Sequence, residues 1–128
     1  MPEPLELTEL QIAILRILWT RGEATVLDVW EEIHRERGLA QTTVATILTR
    51  LEKRGVVSRT QQHRQFTYRA SVSESDVRAS MLGGLTEQLF GGDVTALVNH
   101  LLTSRDIAPG DLQRLRAAIA DAESNGAE

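Results

Sequence analysis

The stretch GLAQTTVATILTRLEKRGVVSR, residues 38–59, decides how the chain is read. Its apolar side chains Val44, Ile47, Leu48 and Leu51 recur at the spacing of one helical face. The pattern predicts a helix from Gln41 to Arg54, stopped by Gly55. At about 100° per residue, Thr42, Thr43, Thr46, Arg50, Lys53 and Arg54 gather on a separate arc. Small hydroxyls come first on that arc and cations later. Such a surface suits a polyanion, but a hydrophilic helix face in water has the same composition. The rest of the chain has to separate the two.

Charge is the first discriminator. The chain has a formal net charge of -4 and a pI near 5.4. Residues 39–69 nevertheless hold six Lys or Arg against Glu52 alone, a local balance of +5. Residues 1–38 stand at -4 and residues 70–128 at -5. A basic middle between acidic flanks concentrates positive potential on one face, so the low pI does not exclude DNA.

Other features narrow the class. At 128 residues the chain fits one domain, or a small domain with an added oligomerisation element. It has no cysteine, which excludes disulfides, thiol nucleophiles and thiolate metal sites. His34, His63 and His100 share no ligand spacing, so neither metal nor cofactor is expected. No Gly-rich phosphate loop and no nucleophile–base pairing is present, so the chain reads as a non-enzyme. MPEPLELTEL lacks a basic region followed by an apolar run, and no stretch reaches the ~18 apolar residues of a membrane span. A soluble, cytoplasmic protein without membrane insertion is the expectation.

Upstream, Thr8 and Gln11 form a capping-box pattern that opens a helix over Glu9 to Trp19. Its apolar belt is broad, as in a central helix, and Arg21-Gly22 ends it. Thr25 caps a second helix with Val26, Val29, Trp30 and Ile33 in register, closed by Gly38. Downstream, VVSRT and FTYRA flank the polar tip QQHRQ and read as a β-hairpin. Trp19, Trp30, Phe66 and Tyr68 sit in apolar registers and are expected in the core, with the Tyr68 hydroxyl also offered to a phosphate. Arg64 at the tip is assigned to phosphate or minor-groove contact. Arg59 and Arg69 in the arms read as strand-edge charges. Three helices followed by a hairpin is the order of a winged helix-turn-helix module, in which the second helix braces the third.

From Ser73 helices return. Val77, Met81, Leu85 and Leu89 repeat every four residues, interrupted by Gly83-Gly84, and Phe90 precedes a Gly91-Gly92 break. Asp93 starts a helix with Val94, Leu97, Val98, Leu101 and Leu102 on one side. Pro109 opens the last helix, whose Leu112, Leu115, Ile119 and Ala122 have coiled-coil spacing. These short helices have strong apolar stripes but little chain for a core of their own, which predicts burial against a second copy. The expected protein is mainly α with a small β-hairpin wing. A winged helix-turn-helix domain occupies residues 1–72 and a helical dimerisation region residues 73–128.

The order of features resembles the BlaI/MecI/CopY type of penicillinase-repressor transcription factors. The similarity is carried by LTELQIAILRILW, TTVATILTRLEKRGVV, HRQFTYRASVSESD, LFGGDVTALVNHLL and IAPGDLQRLRAAI, which span residues 5 to 122 in the family's order. The resemblance implies a homodimeric repressor on a dyad-symmetric operator with TACA/TGTA half-sites. It puts the base-reading positions at Thr42, Thr43, Ala45 and Thr46, with Arg50, Lys53 and Arg54 as backbone-facing cations. Ala45 departs from the long basic residue of relatives, and Gln41-Thr42 from their Ser/Pro-containing turn. His63 stands where a glycine is common.

Two release mechanisms of that family bear on the chain. The copper-responsive route uses a C-terminal cysteine cluster, which is absent here. Penicillin-responsive members are cut by a membrane-bound sensor protease at an Asn-Phe bond; the equivalent place reads Asn99-His100-Leu101, with the bond at His100-Leu101. The competing reading from another class is a winged-helix interaction module whose basic face meets an acidic protein instead of DNA.

Overall fold

The structure is a computed structural model that describes residues 5–104 and 107–126. Its elements run α1 (Glu9–Arg21), α2 (Val26–Arg37), α3 (Gln41–Lys53), β1 (Val57–Gln62), β2 (Gln65–Ala70), α4 (Glu74–Phe90), α5 (Val94–Ser104) and α6 (Pro109–Gly126). The fold is mainly α with one two-stranded antiparallel hairpin, as expected.

Local signals explain the boundaries. Thr8 and Gln11 exchange side-chain and backbone hydrogen bonds of 2.9 and 3.1 Å, satisfying two free N–H groups at the start of α1. Thr25 and Asp28 do the same for α2 at 3.0 and 3.1 Å. Gly38 closes α2 at φ 63°, a left-handed conformation that costs glycine little. Arg54 stands just past the end of α3, so that helix is one residue shorter than the pattern implies.

Contacts divide the chain into two units, residues 1–84 and 85–128. The first is built around Ile14, Leu15 and Leu18 of α1, Val29 and Ile33 of α2, and Val44, Leu48 and Leu51 of α3, all buried. Burying such side chains contributes roughly 1.5–3 kcal/mol each before the entropy of ordering is set against it. Trp19 donates its indole N–H to the Val72 carbonyl at 2.8 Å, and Trp30 donates to Leu39 at 2.7 Å. Both rings are thus half-buried with their polar edge satisfied.

The hairpin holds a register of Val57 opposite Ala70 through Gln62 opposite Gln65. Only His63 and Arg64 turn the chain, at φ 49° and 70°. Two consecutive left-handed residues make a type I′ hairpin turn, so the five-residue polar tip shrinks to two residues. The loop before α2 extends this sheet by one bridge, with Ala24 and Tyr68 exchanging backbone hydrogen bonds of 3.0 and 2.7 Å. That bridge fixes the hairpin base to the helical body.

Helix α4 runs unbroken through Gly83-Gly84, contrary to the expected interruption, although the two units part at Gly84. Its first half belongs to the N-terminal unit: Val77 is buried and Met81 packs on the same core. The unit boundary therefore lies later than the 72/73 division read from the sequence. In the second unit, Gly91 and Gly92 end α4 at positive φ, and Asp93 caps α5 by accepting from the Ala96 N–H at 3.1 Å. Among the described residues of this unit, no apolar side chain is buried.

Candidate nucleic-acid interface

Helix α3 presents two faces because Val44, Leu48 and Leu51 are fully buried at helical spacing. The opposite arc, Gln41, Thr42, Thr43, Thr46, Arg50 and Lys53, is exposed, and Ala45 lies half-buried at its margin. Thr46 donates its hydroxyl to the Thr42 carbonyl at 2.9 Å. This back-bond leaves its methyl group and oxygen lone pairs for anything outside the helix. A methyl can touch a thymine methyl, and a lone pair can accept from a base amino group.

Ala40 at the start of α3 has extended geometry, φ -75° and ψ 152°, but makes no side-chain cap. Thr8 and Thr25 adopt nearly the same angles at α1 and α2 and do cap. The leading N–H groups of α3 therefore lack the side-chain acceptor that the other two helices have, at the positive end of the helix dipole.

The six cations of α3 and the hairpin separate into two sets. Arg54 donates to the Glu6 carbonyl at 2.9 Å. Arg59 pairs with Glu52 at 3.1 Å and Arg69 with Glu23 at 3.6 Å. Arg50, Lys53 and Arg64 are exposed and have no ion pair or side-chain hydrogen bond among the described residues. The unengaged cations thus lie on the exposed arc of α3 and at the hairpin tip. No group of metal-binding side chains occurs among the described residues.

Several sequence expectations need correction. Tyr68 is only 3% exposed, clamped by the Ala24 bridge, so its side chain belongs to the core and not to a phosphate-binding surface. Phe66 is 40% exposed and is not core, because it lies toward the hairpin tip, beyond the reach of the helical body. Val77 and Met81 serve the N-terminal core and are unavailable to a second copy. Of the other positions assigned to pairing, Leu85, Leu89, Val94, Val98, Leu101, Leu112, Leu115 and Ile119 are exposed on the single chain. Phe90 and Leu97 are half-buried. His100 and Leu101 are exposed in α5, with the His100 ring 6.0 Å from that of Phe90. Arg59 was undervalued by the sequence reading, since its partners Glu52 and Phe66 come from other elements.

Three helices, a braced hairpin and an exposed arc of hydroxyls and free cations define a winged helix-turn-helix module of the DNA-binding kind. Comparison with known proteins gives the particular family. Residues 7–121 match the penicillinase repressor family, and the chain belongs to it. It is 25% identical over 111 residues to the methicillin resistance regulatory protein MecI of Mammaliicoccus sciuri, covering 87% of this chain and 90% of that one. To the penicillinase repressor of Staphylococcus aureus it is 21% identical over 108 residues, 84% of this chain and 86% of the relative. Among solved structures, the DNA-binding domain of the repressor BlaI superposes with a TM-score of 0.52 at 22% identity, over 59% of this chain and 93% of that domain. The monomeric form of Bacillus licheniformis BlaI, in complex with the blaP half-operator, gives 0.51 at 22% identity, with the same coverage. These two likenesses establish the winged-helix fold. As a member of this family, the chain is a DNA-binding transcriptional repressor.

Proposed function

We propose that two copies of this chain occupy a dyad-symmetric operator, each with α3 in the major groove and the hairpin along the flanking backbone. The observation that carries this reading is the placement of Arg50, Lys53 and Arg64, the unengaged cations of α3 and hairpin, beside the threonines of α3. Thr42, Thr43 and Thr46 would read base edges, while the cations neutralise phosphates and supply most of the affinity. A paired molecule would place its α3 helices roughly 34 Å apart, one turn of DNA.

What supports pairing is the second unit. Its apolar side chains remain uncovered in the single chain, and a groove of about 650 Å³ between α5 and α6 is lined by Val98, Leu101, Leu102, Ile107 and Leu115. A helical unit with no buried apolar side chain gains too little from burial to offset its ordering entropy. A second copy of the same unit would supply the missing cover. Such a repressor would act in the cytoplasm, and no helix among the described residues is long and apolar enough to cross a membrane. Release by a membrane-bound sensor protease belongs to the same proposal. The His100-Leu101 bond lies in α5, so cutting it would divide the pairing unit.

A gel shift with the DNA upstream of the chain's own gene, in excess random DNA, tests the assignment. A discrete complex that survives the competitor is expected, and its loss would refute sequence-specific binding. Sedimentation of the full chain should give a dimer, and Leu115→Asp should give a monomer that binds the operator far more weakly. A monomeric wild type would remove the dyad from the proposal.

A further inference from the structure

Glu52 is the one acid among residues 39–69, an odd choice beside DNA. Its surroundings give it a purpose. On β1, Arg59 stands opposite Tyr68, and Gln61 stands opposite Phe66. Alternation along each strand puts Arg59, Phe66 and Tyr68 on one sheet face. Tyr68 is buried at the base of that face, whereas Phe66 is 40% exposed further out. Arg59 covers the Phe66 ring with its guanidinium carbon 4.1 Å from the centroid. The same guanidinium brings Nε to 3.1 Å from a Glu52 carboxylate oxygen. One side chain of β1 therefore grips a ring on β2 and a carboxylate near the end of α3. Both contacts are partly sheltered, with Arg59 38% and Glu52 29% exposed.

We infer that Arg59 is a positioning residue: held by Glu52 and Phe66, it fixes the wing at one angle to α3, so that Arg64 at the tip meets a set distance from the threonines. A hairpin anchored only at its base by the Ala24 bridge would sway at its tip. The Arg59 contacts, nearer the tip than that bridge, restrict the sway before DNA arrives, and a pre-ordered wing binds without the entropic cost of being fixed. The guanidinium is indispensable to this arrangement because it offers a flat face for the ring and edge donors for the carboxylate at once. The inference rests on the reading that the wing touches DNA.

Because the chain has no cysteine, spin labels can be placed uniquely at Gln65→Cys and Glu31→Cys in the full-length protein, both exposed sites outside the latch. The distance distribution between wing and α2 should be narrow in the parent. It should broaden in Arg59→Ala and in Glu52→Gln, and only partly in Arg59→Lys, which keeps the ion pair but stacks less well. Operator affinity should fall about three- to tenfold in the first two variants, the scale of one lost ion pair and one lost cation–π contact. Hydroxyl-radical protection should fade at the flanks while the α3 footprint persists. The sign for Glu52→Gln is the discriminating result, since removing a negative charge beside a basic surface would by itself tighten binding. Tighter binding by Glu52→Gln with intact flank protection, or distributions as narrow as the parent's, would overturn the latch. Absence of flank protection in the parent would instead refute wing contact, while the distance distributions still judge the latch itself.

Discussion

Removing Arg50 tests the separation of engaged from unengaged cations most directly. Its side chain is exposed on α3 and makes no ion pair or side-chain hydrogen bond among the described residues. Arg50→Ala should therefore leave folding nearly unchanged while deleting one phosphate contact per copy. Arg50, Lys53 and Arg64 from two copies give about six such contacts, hence a slope of log K against log salt near about -5. Raising salt from about 50 to about 200 mM would then weaken the parent by roughly a thousandfold. With two contacts gone the slope falls to about -3.6, and the same change of salt costs only about a hundredfold. Fluorescence anisotropy with labelled operator across a salt series reads both slopes, and random DNA of equal length gives the sequence-independent part. Both DNAs should lose the same increment of slope. An unchanged slope, or a loss confined to the operator, would show that Arg50 does not act as a phosphate-neutralising cation.

Three further substitutions probe neighbouring features. Ala40→Ser should cap α3 and raise stability by about 1 kcal/mol, because Ala40 already has the backbone angles of the capping Thr8 and Thr25; a denaturant midpoint that does not rise would contradict this. His63→Asn should stabilise the wing turn by about 1 kcal/mol with operator binding retained, since asparagine tolerates the left-handed backbone better and Arg64 is untouched; lost binding would give the His63 side chain a direct role. For Asp28, donation from the Thr25 backbone N–H holds the carboxyl below its ordinary value. A depressed folded value contributes stability above the unfolded value of about 3.9, and the contribution is lost as pH falls through the folded value. Asp28→Asn should accordingly be less stable than the parent at neutral pH, with the difference closing below about pH 4; a difference independent of pH would refute the linkage.

Apolar periodicity made the helical body legible. Thr8 and Gly38, which bound it, were readable as cap and stop because their local chemistry needs no tertiary partner. Other features depend on distance in space. Phe66 and Tyr68 have the same parity on β2, so alternation alone cannot tell that one is buried and the other half-exposed. The Ala24 bridge makes the difference, and a single bridged residue has no repeat to announce it. The His63-Arg64 turn was hidden for a related reason: a type I′ turn ordinarily shows itself by Asn-Gly, and here neither residue is of that kind. Val77 and Met81 continue the same four-residue stripe as Leu85 and Leu89. A stripe reports that a face is covered, not by which body, and the first two residues are covered by their own chain.

At the interface, composition counts charges but not their partners. The +5 balance of residues 39–69 pointed to the right surface, yet it weighted Arg54, Arg59 and Arg69 as heavily as Arg50, Lys53 and Arg64. Arg54, Arg59 and Arg69 are tied to Glu6, Glu52 and Glu23, which lie on different segments and mix backbone with side-chain acceptors. A cation already held by a carboxylate must surrender that contact to neutralise a phosphate, so its net effect on affinity is smaller than its charge implies. Its value to the protein lies in shape. By joining α3 to the strand or segment beside it, each engaged arginine helps determine where the unengaged ones stand, and affinity for a duplex depends on those positions as much as on their number.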